Sequence, residues 1–188
     1  MRLCRAPAYN GPMSIDTRTQ IQEQLRARDA AELERNKQVA RQVIDRIFVR
    51  QEDAAIDELV SDRFVAHTFG PMAPGREGLR EGMRRAGAGV SEARFEIHDR
   101  IAEGDRVAVR LTTTARHTGR FMGIEPSGNR YSIDEIHIFR IRDGLLVEHW
   151  HAFDRAALIG QLKGEGQNGG EGPTAPKQPA DATSRPTS

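Results

Sequence analysis

Side chains that can carry acid–base chemistry are concentrated near the end of the chain, where histidines and a glutamate fall on two short segments. They are Glu135, His137, His149 and His151, and we call them the His/Glu cluster. Both segments, Tyr131–Ile141 and Leu145–Phe153, alternate apolar and polar residues, which is typical of strands. The short connection Arg142-Asp143-Gly144 predicts that the two strands form a hairpin.

The chemistry that these residue types suggest is proton transfer. An imidazole with a pKa of about 6.5 can take a proton from an acidic carbon and return one to a developing alkoxide near neutral pH. A carboxylate such as Glu135 can orient a neighbouring imidazole and hold one tautomer. The cluster therefore predicts acid–base catalysis, with Glu135 placed to orient His151.

Two other interpretations of the His/Glu cluster stay open. The histidines can simply satisfy one another, or buried backbone groups, without catalysing anything. Two histidines and a glutamate are also a set of ligands that binds zinc.

The turn decides whether the cluster shares one face of the hairpin. A three-residue loop, which we prefer, places His137 opposite His149 and Glu135 opposite His151, all on one apolar face. A two-residue Asp-Gly turn shifts the register by one and puts Glu135 and His137 with Trp150 and Asp154 instead.

The preceding chain supplies the elements that position this hairpin. Helical periodicity covers Asn36–Arg50, a short segment after Asp53 that includes Val60, and Arg76–Ala86. A long hairpin follows and reaches His117, and a last helical turn covers Asp154–Leu162. Helices first and antiparallel strands after predict an α+β fold with helices packed on one face of a curved sheet.

Composition divides the chain of 188 residues into one domain and two ends. Residues 33–163 form the predicted domain. Residues 1–32 are an N-terminal tail with a helix-forming segment that can extend the first helix. Residues 164–188 are rich in Gly and Pro and lack aromatic and branched aliphatic residues, which predicts disorder.

Charge and cysteine content exclude several classes of protein. The net charge is +1, with 28 basic and 27 acidic residues interspersed, so no basic face for nucleic acid is expected. Apolar stretches are far shorter than the roughly 20 residues of a spanning helix, so no membrane association is expected. The single cysteine, Cys4, fits a reducing cytoplasm.

Five segments together resemble a known family. They are NKQVARQVIDRIF, DELVSDRFVAHTF, PGREGLREGM, IAEGDRVAVRLTTTARHTGRFMGIEPSG and IHIFRIRDGLLVEHW. In order and spacing they resemble the SnoaL-like polyketide and ester cyclases of the nuclear transport factor 2-like superfamily. The resemblance implies a cone-shaped barrel, in which a curved, mainly antiparallel sheet wraps on three N-terminal helices and encloses one pocket. It also implies a homodimer and chemistry without metal or organic cofactor.

The resemblance also carries implications for single residues. The polyketide cyclases use an aspartate as general acid/base in an aldol closure, commonly directly after the EHW motif, with a histidine nearby. In this chain the aspartate's position is His151, which the resemblance makes the candidate general base, and the nearby histidine corresponds to His137. Asp154 resembles a recurrent carboxylate of the family and is a further catalytic candidate. Residues expected to bind substrate are His67, Phe69, Met83, Phe121, His149 and Trp150.

The predicted function is acid–base catalysis on an apolar, polyketide-like or polycyclic carbonyl substrate, leading to aldol-type cyclisation or isomerisation. The predicted partner is therefore a small molecule. Two alternatives remain open, a cofactor-free hydrolase or dehydratase and a non-catalytic module for ligand binding or dimerisation.

Overall fold

The computed structural model describes residues 15–67 and 72–165, with side chains from residue 18 onward. Of the segment 164–188, which is predicted to be disordered, only residues 164 and 165 are among the described residues. Phe69 also lies outside them.

The chain begins with a long helix whose two halves differ in burial. Helix α1 (Ile15–Gln42) continues directly into a π-helical segment (Val43–Val49). Residues 18–32 are exposed, whereas from Asn36 onward one face is buried and carries Ile44, Ile47 and Phe48. The predicted boundary at residue 33 therefore falls inside one helix, at the point where burial begins. No helix within the described residues is long and apolar enough to cross a membrane.

Two shorter helices and one strand follow. Helix α2 (Asp53–Leu59) leads into strand β1 (Val60–Ala66), and helix α3 (Gly75–Gly89) comes after Pro74. Val60, predicted on the helical stripe of α2, is extended with φ −118° and ψ 135° and starts β1. Its side chain is still fully buried, so the apolar spacing indicated burial correctly but not the end of the helix.

The remaining strands form the sheet on which the candidate site lies. They are β2 (Val90–Glu103), β3 (Arg106–His117), β4 (Arg130–Arg142) and β5 (Leu145–Phe153), followed by helix α4 (Arg155–Lys163). The order across the sheet is β1-β5-β4-β3-β2, with β1 parallel to β5 and the other pairs antiparallel. The predicted α+β class is confirmed. Within the described residues the sheet is open, with β1 and β2 at its edges.

Helices cover one face of the sheet, which we call the inner face. Every second residue of β3 and β4 points to it, from Val107 to His117 and from Tyr131 to Ile141. Side chains of the π-helical segment, α2, α3 and β1 pack there against Val107, Val109 and Phe139. A second apolar group joins Leu158 and Leu162 of α4 to Ala115, Tyr131 and Ile133. The inner face therefore forms one side of the hydrophobic core.

Candidate active site

The turn between β4 and β5 differs from the predicted one. Arg142 pairs with Leu145, so the loop contains only Asp143 and Gly144. Both residues have positive φ, 51° and 76°, as a type I′ turn requires. The predicted three-residue loop is therefore wrong. The two-residue turn is favoured because its backbone twist matches the natural twist of a hairpin.

A β-bulge in β5 then offsets the one-residue change of register that the shorter turn causes. Ile141 pairs with Leu146 and Arg140 with Glu148, which leaves Val147 as an extra residue on β5. Beyond the bulge His137 pairs with His151, not with His149 as predicted. The whole His/Glu cluster nevertheless lies on the inner face, because the bulge shifts β5 by the one residue that the turn took away.

Glu135 is the centre of the His/Glu cluster. Its Oε2 atom lies 2.9 Å from Nε2 of His137 and 3.0 Å from Nε2 of His151. The two imidazole rings stack with their centroids 4.3 Å apart. On the far side of His137, Nδ1 lies 2.9 Å from Nε2 of His149. The side chains of Glu135, His137 and His151 are 11%, 3% and 5% exposed, so this network is shielded from bulk water.

Burial and hydrogen bonding fix the protonation of the network. Burial alone raises the pKa of Glu135, but the hydrogen bonds from His137 and His151 and their electrostatic attraction outweigh it and bring the pKa to about 2. Burial lowers the pKa of His137, against its hydrogen bond to Glu135, and holds the pKa of His149 well below its usual value. At neutral pH the carboxylate is therefore ionised, and His137 and His149 are neutral.

These protonation states determine the tautomers. An ionised carboxylate only accepts hydrogen bonds, so Nε2 of both His137 and His151 must carry hydrogen. The remaining ring nitrogen of His137, Nδ1, then accepts from Nε2–H of His149. In neutral His151 the lone pair is on Nδ1, which makes that atom the basic one.

Aromatic side chains surround the network. Phe48 lies 5.8 Å from the rings of both His137 and His149, and Phe153 lies 4.8 Å from His151. Tyr131 is also buried on the inner face, and burial together with the negative charge of Glu135 raises its pKa to about 12. The sequence analysis missed Phe48 and Tyr131 as neighbours of the site. Strand alternation places Tyr131 on the face of Glu135, and Phe48 lies one helical turn after Ile44, so both signals were available.

Three of the predicted site residues lie apart from the His/Glu cluster. Asp154 is exposed and accepts a hydrogen bond from the backbone N–H of Ala157 at 2.9 Å, as the N-cap of α4. Trp150 lies on the outer face of β5, and the ring of His67 stacks on it with centroids 4.6 Å apart. His67 also contacts Glu148, with Nε2 2.9 Å from Oε2. Because side chains alternate along β5, Trp150 points to the other face of the sheet from His149 and His151.

Two further predicted residues have different surroundings. Met83 lines a cavity of about 200 Å³ together with Ile47, Ile56 and Arg80, between α2, α3 and the π-helical segment. Phe121 packs against the apolar group around α4. Its own loop is held by paired backbone hydrogen bonds with Ile124.

The described residues contain one group of potential metal ligands that stands out by its compactness. Glu135, His137 and His151 each offer a ligand atom, and these atoms lie within 4.8 Å of one another. The arrangement is therefore competent both for proton transfer and for holding a cation.

Comparison with known proteins gives a consistent family. The family described as SnoaL-like polyketide cyclase matches residues 38–162. The nogalonic acid methyl ester cyclase of Streptomyces nogalater is 41% identical over 72 residues, which are 38% of this chain and 53% of that protein. The aklanonic acid methyl ester cyclase DnrD of Streptomyces peucetius is 34% identical over 58 residues, 31% of this chain and 40% of that protein. The matches thus span about half the length of these relatives or less.

A solved structure extends the likeness to the whole fold. The structure of TsrD from Streptomyces laurentii superposes with a TM-score of 0.60 at 28% identity, and covers 66% of this chain and 94% of TsrD.

Proposed function

The chain belongs to the SnoaL-like polyketide cyclase family, and from this premise we propose that it is a cofactor-independent acid–base enzyme. Its substrate is an apolar, polyketide-like carbonyl compound, in which it closes a ring by aldol-type addition or isomerises it. The named relatives are cyclases of nogalonic acid methyl ester and aklanonic acid methyl ester. We extend that substrate class, but not the particular compound, to this chain.

The observation that carries the proposal is the contact of Glu135 with His151. Because Oε2 of Glu135 accepts Nε2–H of His151, the lone pair of His151 stays on Nδ1. A base in this position removes a proton from the carbon next to a carbonyl and leaves an enolate. The imidazolium that forms is stabilised by the adjacent carboxylate, which burial and hydrogen bonds keep ionised.

The rest of the reaction needs no other reagent. The enolate carbon attacks a second carbonyl of the same molecule, forming the new carbon–carbon bond and an alkoxide. The alkoxide then takes the proton back from His151, so the base is regenerated and the product is an isomer of the substrate. His137 and His149 act as positioning residues, since they hold the carboxylate from its other side.

The surroundings of the cluster support an apolar substrate. Phe48, Phe139 and Phe153 contact the histidine rings, and the apolar group around α4 continues the same face. Apolar surroundings of this kind favour an apolar substrate over a charged metabolite.

The proposal is tested by replacing the base while keeping its neighbours. We expect His151→Gln to lower kcat for a polyketide methyl ester substrate by about 100-fold or more, the usual contribution of a positioned base. The same variant loses deuterium exchange at the α carbon in deuterated buffer. The matched control is His98→Gln, because His98 is exposed on the outer face and bonds only to Thr112 there. All assays contain a chelator.

Full turnover and exchange in both His151→Gln and His137→Gln, with an unchanged unfolding transition, would show that the mechanism is wrong.

One observation favours a second candidate, a non-catalytic ligand-binding module, because the hydrogen bonds of Glu135 and His137 are satisfied within the cluster. In that case the variants change the free energy of unfolding or ligand affinity and no substrate is turned over.

We further propose that the protein is a homodimer that associates through the outer face of the sheet. An apolar row crosses four paired strands there, consisting of Ile101, Ala108, Ile138 and Trp150. Ile101 is 69% exposed and the nearby Ile136 is 50% exposed, and contiguous exposed apolar side chains mark interaction sites. A self-complementary patch of this kind suits a two-fold interface. A cytoplasmic location stays a prediction from the single cysteine.

A further inference from the structure

Three atoms, Oε2 of Glu135 and Nε2 of His137 and His151, lie close enough together to be ligands of one zinc ion. With metal–ligand bonds of about 2.0–2.2 Å, neighbouring ligands of a tetrahedral zinc ion lie about 3.3 Å apart. In the cluster Oε2 lies 2.9 Å from Nε2 of His137 and 3.0 Å from Nε2 of His151, and all three atoms lie within 4.8 Å of one another. The two separations from Oε2 therefore need to lengthen by only a few tenths of an ångström to admit the ion.

His149 is suited to support His137 as a zinc ligand. When Nε2 of a histidine binds a metal, its Nδ1 carries hydrogen and normally donates to a fixed acceptor. Nδ1 of His137 already lies 2.9 Å from Nε2 of His149, and His149 is neutral, so it can accept this hydrogen bond after exchanging its own tautomer. No rotation of any ring is needed.

Charge and burial also favour a cation at this position. The carboxylate of Glu135 is ionised and only 11% exposed. Within the described residues this carboxylate pairs with two histidines and with no lysine or arginine. A divalent ion would therefore be attracted to a buried negative charge that at present only hydrogen bonds compensate.

We propose that Glu135, His137 and His151 form a zinc-binding site and that zinc inhibits the enzyme while it is bound. Binding through Nε2 forces hydrogen onto Nδ1 of His151, which removes the lone pair that acts as the base. Zinc and catalysis therefore exclude each other. The binding is independent of the proposed function, whereas the inhibition rests on it.

Binding is tested on the protein alone, untagged and in a Cys4→Ser background, because a thiolate is itself a strong zinc ligand. After treatment with a chelator and its removal, zinc chloride is titrated by calorimetry, and cobalt(II) is titrated by its visible absorption. We expect one ion per chain and the cobalt bands of a tetrahedral site with nitrogen and oxygen ligands.

Variants assign the ion to its ligands. Glu135→Gln and His151→Gln should each abolish stoichiometric binding, and His149→Gln should weaken it by about tenfold, as loss of a supporting hydrogen bond does. The matched control is the double variant His67→Gln/His98→Gln, which removes two histidines on the outer face and should bind as the parent does.

The outcomes separate the two proposals. Binding that is absent, or that persists in Glu135→Gln and His151→Gln, overturns the zinc site whatever the enzyme does. Binding that is lost in these variants while turnover is unaffected by bound zinc supports the site and contradicts the inhibition and the proposed base together. Inhibition that a chelator reverses, with the same dependence on Glu135 and His151, supports both.

Discussion

At the scale of residues, one carboxylate oxygen organises the site. Oε2 of Glu135 accepts from two imidazoles that approach from different strands, β4 and β5, and a third imidazole extends the chain through His137. Hydrogen bonds to an ionised acceptor are stronger than neutral ones, and burial makes an uncompensated charge costly. The histidines are thus held in defined tautomers by a charge that they in turn keep buried.

Stability should fall as the pH decreases below about 6.5, the ordinary pKa of histidine. Burial lowers the pKa of His137 and His149 in the folded protein, so the unfolded chain takes up protons first as the pH falls, and unfolding is favoured. Urea unfolding at about pH 7.5 and about pH 5.5, with a chelator present, measures the loss. His149→Gln should reduce that loss by about 1 kcal/mol, because one buried group no longer titrates.

His98→Gln is the control for this pH dependence, because His98 is exposed. It should keep the parent's dependence. An identical loss of stability in His149→Gln and the parent would mean that His149 is not held neutral by the fold.

At the scale of elements, the hairpin of β4 and β5 depends on two local irregularities that compensate each other. The two-residue turn at Asp143 and Gly144 shifts the register by one residue, and the bulge at Val147 shifts it back. A regular hairpin with the same turn would pair His137 with Trp150 and divide the cluster between two faces. The bulge is therefore what joins Glu135 and His137 to His149 and His151.

A pair of length variants tests this role of the bulge. Deleting Val147 leaves Ile141 paired with Leu146 and Arg140 with Glu148, so His149 and His151 should keep their places. Inserting an alanine between Glu148 and His149 should turn both histidines to the outer face and leave Glu135 buried without His151. We expect the insertion to cost about 3 kcal/mol or more in the free energy of unfolding, since it breaks a buried charge network, and the deletion to cost less.

The measurements are chemical unfolding and NMR of the hydrogen-bonded imidazole N–H protons, which should persist in the deletion and disappear in the insertion. Equal loss of these signals in both variants would contradict the assigned bulge.

At the scale of the whole molecule, the sheet has one face for the site and another that is partly apolar and exposed. The inner face is covered by helices, whereas Ile101 and Ile136 project from the outer face. The stacked pair of His67 and Trp150, with Glu148 and Arg140 beside it, lies on the same outer face. These residues are therefore better placed to form a dimer interface than to contact substrate.

The proposed dimer gives a prediction at this scale. The parent should sediment as a dimer at micromolar concentration, and Ile101→Lys/Ile136→Lys should sediment as a monomer, because two charges opposed across a two-fold interface are each desolvated. The matched control is Leu25→Lys, which changes a 50% exposed side chain on the outlying part of α1 and should leave the mass unchanged. A monomeric parent, or a dimeric double variant, would contradict the interface.

Much of the fold could be predicted because its signals are local. Helical spacing placed the buried face of the first helical region around Ile44 and Ile47 of the π-helical segment, and alternation placed the strands of both hairpins. The end of α2 was missed at Val60 because burial there is the same for a helix and a strand. Asp154 was assigned a catalytic role from resemblance, although its place directly before a helix is also typical of an N-cap.

The sequence by itself determined the residue types of the site and which residues of each strand share a face. Glu135 shares a face with His137, and His149 with His151, whatever the strands pair with, because side chains alternate with a period of two. Only the tertiary structure decided that these two pairs meet, since the turn and the bulge jointly set the register. It also decided which nitrogen faces Glu135, and which histidines stay neutral. Those properties depend on burial and on partners from distant parts of the chain, and no local pattern records them.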